Sequence, residues 1–236
     1  MRLDKYLCES SDLTRSQARS VLLNGEVTVN GEVIKRGTHI VRDGDEVQWE
    51  GETLALIGLR YLMLNKPAGH ECSNRNSQHP PVIDLLDVDK RDRLQTVGRL
   101  DVDTTGLMLV TDDGQWMHRI ISPRNRCDKV YLVTLAEPLP ENVEDLFKAE
   151  DEAQRGLSAS IARVDEHTVR LTIQAGKDFH VKRMFESVGG HVLGLHCERI
   201  GPVALDADLL PGESRYLTQA EVADLGRGSE GGATVD

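Results

Sequence analysis

The chain has 236 residues, of which 39% are hydrophobic and 28% charged, and its formal net charge is −11 at pH 7. This composition is typical of a globular protein with one large or two unequal domains, and no apolar run approaches the roughly 20 residues of a membrane span. The first ten residues, MRLDKYLCES, lack the apolar stretch of a secretory signal, so the sequence predicts a cytoplasmic protein.

The four cysteines indicate reduced thiols and not a metal or redox site. Cys8, Cys72, Cys127 and Cys197 are scattered along the chain, and no pair has C-x-x-C spacing. The stretch HVLGLHCERI brings histidines close to a cysteine, but its residues alternate as those of a strand do. We therefore expect no metal site there.

Residues 1–57 are predicted to form a small unit of two helices and a hairpin. Thr14 and Gln17 form a capping box that begins a helix over RSQARSVLLNG, and Gly25 ends this helix. The Asn30-Gly31 pair predicts a hairpin within EVTVNGEVI, and VRDGDEVQW adds a turn and a strand.

Residues 60–226 are predicted to form an α+β domain with a mixed, mostly antiparallel sheet flanked by helices and loops. Strands are predicted at RYLMLNKPAG, GLMLVT, KVYLVTL, SASIARV, TVRLTIQAG, HVLGLHCERI and PVAL. Helices are predicted at PENVEDLFKA, VKRMFESVGG and TQAEVADLG. The last residues, 227–236, are predicted to be a disordered tail.

The stretch VGRLDVDTTGLMLVTDDG, residues 97–114, carries four aspartates beside apolar strands. An ionised carboxylate is costly to bury unless it is paired, so each aspartate is exposed, caps a turn or takes part in chemistry. The spacing approaches that of a calcium-binding EF-hand loop, but a strand follows where a helix is required. Asp103, Asp112 and Asp113 can be explained as turn residues. Asp101 is instead predicted to take part in chemistry, because nearby cationic residues can adjust the properties of its carboxylate.

A basic patch in HRIISPRNRCDK contrasts with the acidic C-terminal half of the chain. Its cationic residues are Arg119, Arg124, Arg126 and Lys129. Because Lys and Arg neutralise phosphates, a local patch of this kind on an acidic protein indicates a site-specific RNA partner.

The segments MRLDKYL, TRSQARSVLLNGEVTVNGEVIKRG and DGDEV, taken in order, resemble the S4 RNA-binding domain. The resemblance implies that Arg15, Ser16, Arg19 and Lys35 face the RNA backbone. Spacing alone also allows Arg15 and Arg19 to be an ordinary exposed pair one helical turn apart.

The rest of the chain resembles the RsuA-type pseudouridine synthases. GRLDVDTTGLMLVTDDG carries this resemblance together with MLNKPAG, SPRNRCDKVYLVTL, VKRMFESVGGHV and HCERIGPVALDADLLPGE, in the family's order. It implies a monomeric, cofactor-free isomerase that converts a uridine, at position 516, to pseudouridine in 16S ribosomal RNA, free or within a small-subunit assembly particle.

The resemblance also implies roles for four residues. Asp101 corresponds to the catalytic aspartate, Tyr131 to the tyrosine that stacks on the target base, and Lys182 to the basic residue that pairs with the aspartate. Arg99 corresponds to a residue that helps hold the place vacated by the flipped base. Residues 177–180, KDFH, depart from the family's usual sequence before Lys182.

Three alternatives stay open at the level of sequence. The substrate can instead be a hairpin of large-subunit 23S ribosomal RNA, or the chain can be a non-catalytic RNA-binding assembly factor that uses only its S4-like unit. Within the enzyme hypothesis, the aspartate can attack C1′ as a nucleophile or remove the C2′ proton.

Overall fold

The computed structural model of the chain describes residues 1–73, 78–122, 127–141, 143, 159–174, 181–187 and 189–227. The chain divides into two compact units, Met1–Leu59 and Arg60–Asp236. In the ranges just given, no helix has the length and apolar character needed to cross a membrane.

The N-terminal unit packs two helices on a four-stranded antiparallel sheet. Its elements are α1 (Leu3–Ser10), α2 (Arg15–Asn24), β1 (Val27–Val29), β2 (Glu32–Val33), β3 (Val47–Trp49) and β4 (Glu52–Leu54), with strand order β2-β1-β3-β4. The core consists of buried aliphatic residues that include Leu3, Leu7, Ala18, Leu22 and Val27.

The local signals in this unit act as the sequence predicts. The Thr14 hydroxyl accepts a hydrogen bond from the Gln17 backbone N–H, and the Gln17 side chain accepts one from the Thr14 N–H, so the capping box is complete. Gly25 ends α2 with φ of 79°. Asn30 and Gly31 have φ of 52° and 82°, which the tight hairpin between β1 and β2 requires.

The C-terminal unit is built on a nine-stranded sheet. Its strands are β5 (Tyr61–Lys66), β6 (Gln95–Thr96), β7 (Thr105–Thr111), β8 (Asp128–Leu135), β9 (Ala159–Arg163), β10 (Thr168–Gln174), β11 (Val192–Ile200), β12 (Val203–Ala204) and β13 (Ser214–Tyr216). The main strand order is β13-β5-β7-β11-β8-β10-β9. The pair β7–β11 is parallel, whereas the other neighbours along this order are antiparallel. The predicted α+β class with a mixed, mostly antiparallel sheet is therefore confirmed.

Hydrophobic side chains alternate between the two faces of this sheet, as the two-residue period of a strand requires. One face carries Leu107, Leu109, Tyr131 and Val133 into the largest core cluster. Helices α3 (Gly114–Ile121), α4 (Val181–Ser187) and α5 (Gln219–Gly226) add buried residues to the same cluster. The opposite face of β5 and β7 is covered by the segment that contains the short 3₁₀ helices Val82–Leu85 and Arg91–Arg93.

The structure corrects the prediction of a turn at residues 112–114. Asp113 instead caps helix α3, since its carboxylate accepts hydrogen bonds from the backbone N–H groups of Gln115 and Trp116, both at 3.0 Å. Asp112 forms an ion pair with Arg60 at 3.0 Å. Helix α3 was not predicted.

Some predictions fall outside the described residues. These are most of the predicted helix over 140–149, residues 177–180 and the tail after Arg227.

Candidate active site

A buried lysine holds the loop that carries Asp101. The Lys66 side chain, at the end of β5, has no exposed surface. Its ammonium donates hydrogen bonds to the backbone carbonyls of Asp101 at 3.0 Å, Val102 at 3.2 Å and Thr104 at 2.8 Å. Burial lowers the pKa of Lys66, and this effect is opposed by the nearby Cys72, Asp103 and Asp101. Three of the four carbonyls within hydrogen-bond distance of this ammonium belong to the loop and hold it, and the fourth is that of Pro67, the next residue in the chain.

The same loop leads into the parallel junction between β7 and β11. Gly106 has φ of +101°, and a Cβ atom there would lie 2.3 Å from the Cys197 carbonyl oxygen. The Thr105 hydroxyl and the His196 Nδ1 atom lie 2.9 Å apart. Only glycine allows this close approach of the two backbones, and the approach sets where the loop joins the sheet.

Lys182, near the start of α4, meets the loop from the other side. Its Nζ atom lies 2.6 Å from Asp103 Oδ2 and 4.0 Å from Asp101 Oδ2. The side chains are partly exposed, at 37% for Lys182, 54% for Asp101 and 69% for Asp103. The hydrogen bond from Lys182 lowers the pKa of Asp103. The fold thus brings Asp101 and Lys182 together across 81 positions of sequence.

Tyr131 lies on β8 beside Cys197 of β11 and is fully buried. It belongs to the large core cluster and also lines a small cleft. The lining of the cleft includes Arg99, Leu107, Lys129, Tyr131, Cys197 and Ile200. Arg99 is an exposed residue, so the cleft has a cationic group between its apolar wall and solvent.

The predicted basic patch is only partly described by the structure. Arg124 and Arg126 lie outside the described residues. Lys129 is only 6% exposed, and its contact with RNA stays a prediction. Because Lys129 and Tyr131 are two residues apart on one strand, they share a face of the sheet and line the same cleft.

A separate cationic groove lies in the N-terminal unit. Its charged lining includes Arg2, Lys5, Arg15, Arg19 and Lys35, with Asp4 among them. Three of the four residues predicted there thus share one groove, whereas Ser16 is exposed but is not part of the lining. Arg2 and Lys5 were not singled out from sequence, although both belong to the quoted MRLDKYL segment.

Sequence reasoning also missed the parts that Lys66 and Asp103 play in the arrangement. Lys66 is the last residue of an apolar strand, and this is the signal that could have found it.

In the described part of the chain no group of three or more His, Cys, Asp or Glu residues is placed to hold a metal ion. Chemically, the site offers an accessible carboxylate, a nearby ammonium and an aromatic cleft.

Comparison with known proteins places these features in a family. Residues 60–187 match the family model described as RNA pseudouridylate synthase, and residues 1–47 match that of the S4 domain. Ribosomal small subunit pseudouridine synthase A of Vibrio vulnificus (strain CMCP6) is 48% identical over 228 residues, which cover 94% of this chain and 98% of the relative. The protein of the same description from Escherichia coli (strain K12) is 44% identical, with 95% and 100% covered.

A solved structure gives the same result. A crystal structure described as pseudouridylate synthase is 44% identical, covers 95% of this chain and 99% of its own, and superposes with a TM-score of 0.66. These matches confirm the resemblance to pseudouridine synthases and to the S4 domain that the sequence motifs indicated.

Proposed function

Because the chain belongs to the RNA pseudouridylate synthase family and carries an S4 domain, we propose that it converts a uridine to pseudouridine in the 16S RNA of the small ribosomal subunit. The RNA class is supported by relatives named ribosomal small subunit pseudouridine synthase A, which match nearly the whole chain. We assign the uridine at position 516 as the target. Since the proposed substrate is ribosomal RNA, the proposed location is the cytoplasm.

The observation that carries the catalytic assignment is the pairing of Asp101 with Lys182. The reaction breaks the N1–C1′ bond of uridine, turns the uracil and rejoins it through C5, so atoms and electrons balance without a cofactor. Asp101 supplies the carboxylate, either as nucleophile at C1′ or as base toward the C2′ proton. The Lys182 ammonium lies 4.0 Å from this carboxylate and places a positive charge beside it.

The cleft beside Tyr131 is the proposed site of the uracil ring. Tyr131 offers a flat face for stacking and a phenolic group for proton transfer at C5. Its complete burial means that residues lining the cleft must move apart before a base can enter. The exposed Arg99 is the proposed group that supports the RNA where the base has left its stack. Extruding a base costs a few kcal/mol, which RNA binding must supply.

The S4 groove is the proposed source of part of that binding energy. Its five cationic side chains, Arg2, Lys5, Arg15, Arg19 and Lys35, can neutralise successive phosphates on an otherwise acidic protein. Because each chain carries all three proposed catalytic residues, the proposed active form is a monomer. The substrate is 16S RNA, either free or in an assembling small-subunit particle.

Mapping pseudouridine in ribosomal RNA tests the proposed target. RNA from cells with and without the gene is labelled with carbodiimide, and reverse-transcription stops are compared in both subunits. We expect one stop, at position 516 of 16S RNA, to disappear without the gene and to return with a plasmid copy. Loss of a stop in 23S RNA would transfer the target to the large subunit, and an unchanged pattern would favour a non-catalytic assembly factor.

A further inference from the structure

The Lys182 ammonium is bound more closely by Asp103 than by the proposed catalytic Asp101. The distance from Nζ to Asp103 Oδ2 is 2.6 Å, that of a short charge-assisted hydrogen bond. The 4.0 Å distance to Asp101 Oδ2 exceeds hydrogen-bond range but still allows Coulomb attraction. The two carboxylates therefore interact with one ammonium in two different ways.

Two described carboxylates, those of Asp103 and Asp101, lie within 4.0 Å of this ammonium. Helix α4 is fixed to the core by the buried Val181, Met184 and Phe185, so the base of the Lys182 side chain is held. The nearby ammonium of Lys66 donates its hydrogen bonds to backbone carbonyls, and its charge also attracts both aspartates from a distance. A lysine is a flexible point charge with three donors, and a second anchor is needed to hold it in one place.

We propose that Asp103 is a positioning residue, which anchors the Lys182 ammonium beside the Asp101 carboxylate. This inference rests on the proposed catalytic role of Asp101. The anchored ammonium places its positive charge 4.0 Å from Asp101 Oδ2.

A different role for Asp103, as a cap of its own turn, makes the opposite prediction for two conservative variants. Asparagine keeps the size and the turn-capping oxygen of aspartate but has no charge. Glutamate keeps the charge, and its longer side chain is a poor cap of such a turn. Asp103 is 69% exposed, so both variants are expected to fold.

The test compares Asp103→Asn and Asp103→Glu with the wild-type chain on a full-length small-subunit RNA transcript. We expect Asp103→Asn to lower kcat by about ten-fold with KM unchanged, because the charge acts after RNA is bound. Asp103→Glu should recover kcat to within about three-fold of wild type. Asp84→Asn, which removes an exposed carboxylate 3.7 Å from Arg91, is the control and should match wild type.

The outcomes separate this inference from the proposed function. Full activity of Asp103→Asn, or a larger loss in Asp103→Glu than in Asp103→Asn, would overturn the positioning role while leaving the enzyme assignment intact. A wild-type chain that forms no pseudouridine in this RNA, either free or assembled with small-subunit proteins, would overturn the proposed function and the inference together.

Discussion

The Nζ atom of Lys66 donates a 3.0 Å hydrogen bond to the backbone carbonyl of Asp101, across 35 positions of sequence. The bond connects the end of strand β5 to the loop that presents the proposed catalytic carboxylate. Burying an ammonium costs desolvation free energy, which hydrogen bonds to the carbonyls of that loop offset here. The ammonium is therefore stable only when the loop keeps this conformation.

Replacing Lys66 by methionine should therefore reduce both stability and turnover. The variant keeps a long apolar side chain but leaves the carbonyls of Asp101, Val102 and Thr104 without their donor. We expect the free energy of unfolding to fall by about 3 kcal/mol and kcat to fall by about 100-fold. Denaturant unfolding and single-turnover assays measure these effects. Wild-type turnover in a folded Lys66→Met chain would show that the loop is held by other contacts.

The close approach at Gly106 gives a second prediction, which concerns stability. A Cβ atom at this position would meet the Cys197 backbone, and the positive φ is strained for other residues. Gly106→Ala is expected to lower the free energy of unfolding by about 3 kcal/mol or more. Gly114→Ala, at the start of α3 with open space around it, is the matched control and should be stabilising by about 0.5 kcal/mol. Equal stability of the two variants would argue against the tight junction.

The cationic groove of the N-terminal unit should determine the salt dependence of RNA binding. When Arg15, Arg19 and Lys35 are each replaced by glutamine, the slope of log Kd against log salt concentration should fall by about one for each phosphate contact removed. Arg42→Gln removes an exposed cation that is not part of the groove lining and serves as the control. If the triple variant has the slope of the control, the groove does not bind the RNA backbone.

The Arg215–Glu221 pair predicts how stability depends on pH. Two hydrogen bonds from Arg215, at 2.9 Å and 3.0 Å, lower the pKa of Glu221 to about 2, with a further contribution from Thr218. Because the pKa of Glu221 is lower in the folded chain, its ionised carboxylate stabilises the folded state. This stabilisation is fully present at pH values above the usual glutamate pKa of 4.5. This stabilisation is lost as the pH falls from there toward 2.

Glu221→Gln should remove that pH-dependent contribution while preserving the capping box with Thr218. Its free energy of unfolding should fall less than that of wild type between pH 5 and pH 3. Trp116, whose indole N–H donates to the Val222 carbonyl of α5, reports on this region in a Trp49→Phe background. Asp224→Asn, with an exposed ion pair on the same helix, should follow wild type. Parallel pH curves for Glu221→Gln and wild type would contradict the assignment.

Local patterns predicted most of the elements, since periodicity and capping are properties of neighbouring residues. The seven strands predicted in residues 60–226 are present, and both capping boxes, at Thr14 and Thr218, are formed. Helix α3 was missed because Asp112-Asp113-Gly114 is also a strong turn signal and the helix has only eight residues. Asp113 at its N-cap was the available clue.

The site was less predictable because its contacts join distant parts of the chain. Motifs identified Asp101 and Lys182, but no local rule relates Lys182 to Asp103, 79 positions away. The burial of Lys66 depends on carbonyls more than 30 positions later, and that of Lys129 on which face of β8 is covered. The roles of Asp101, Tyr131 and Lys182 stay predictions.

The most direct test of the account measures pseudouridine formed in a small-subunit RNA transcript by the purified wild-type chain and by Asp101→Asn. The substitution keeps the shape of the side chain and removes the carboxylate charge. We predict that wild type modifies one uridine, and that Asp101→Asn forms no detectable pseudouridine while its Kd for the same RNA stays within about two-fold. Turnover by Asp101→Asn near that of wild type would contradict the central claim that the Asp101 carboxylate carries out the isomerisation.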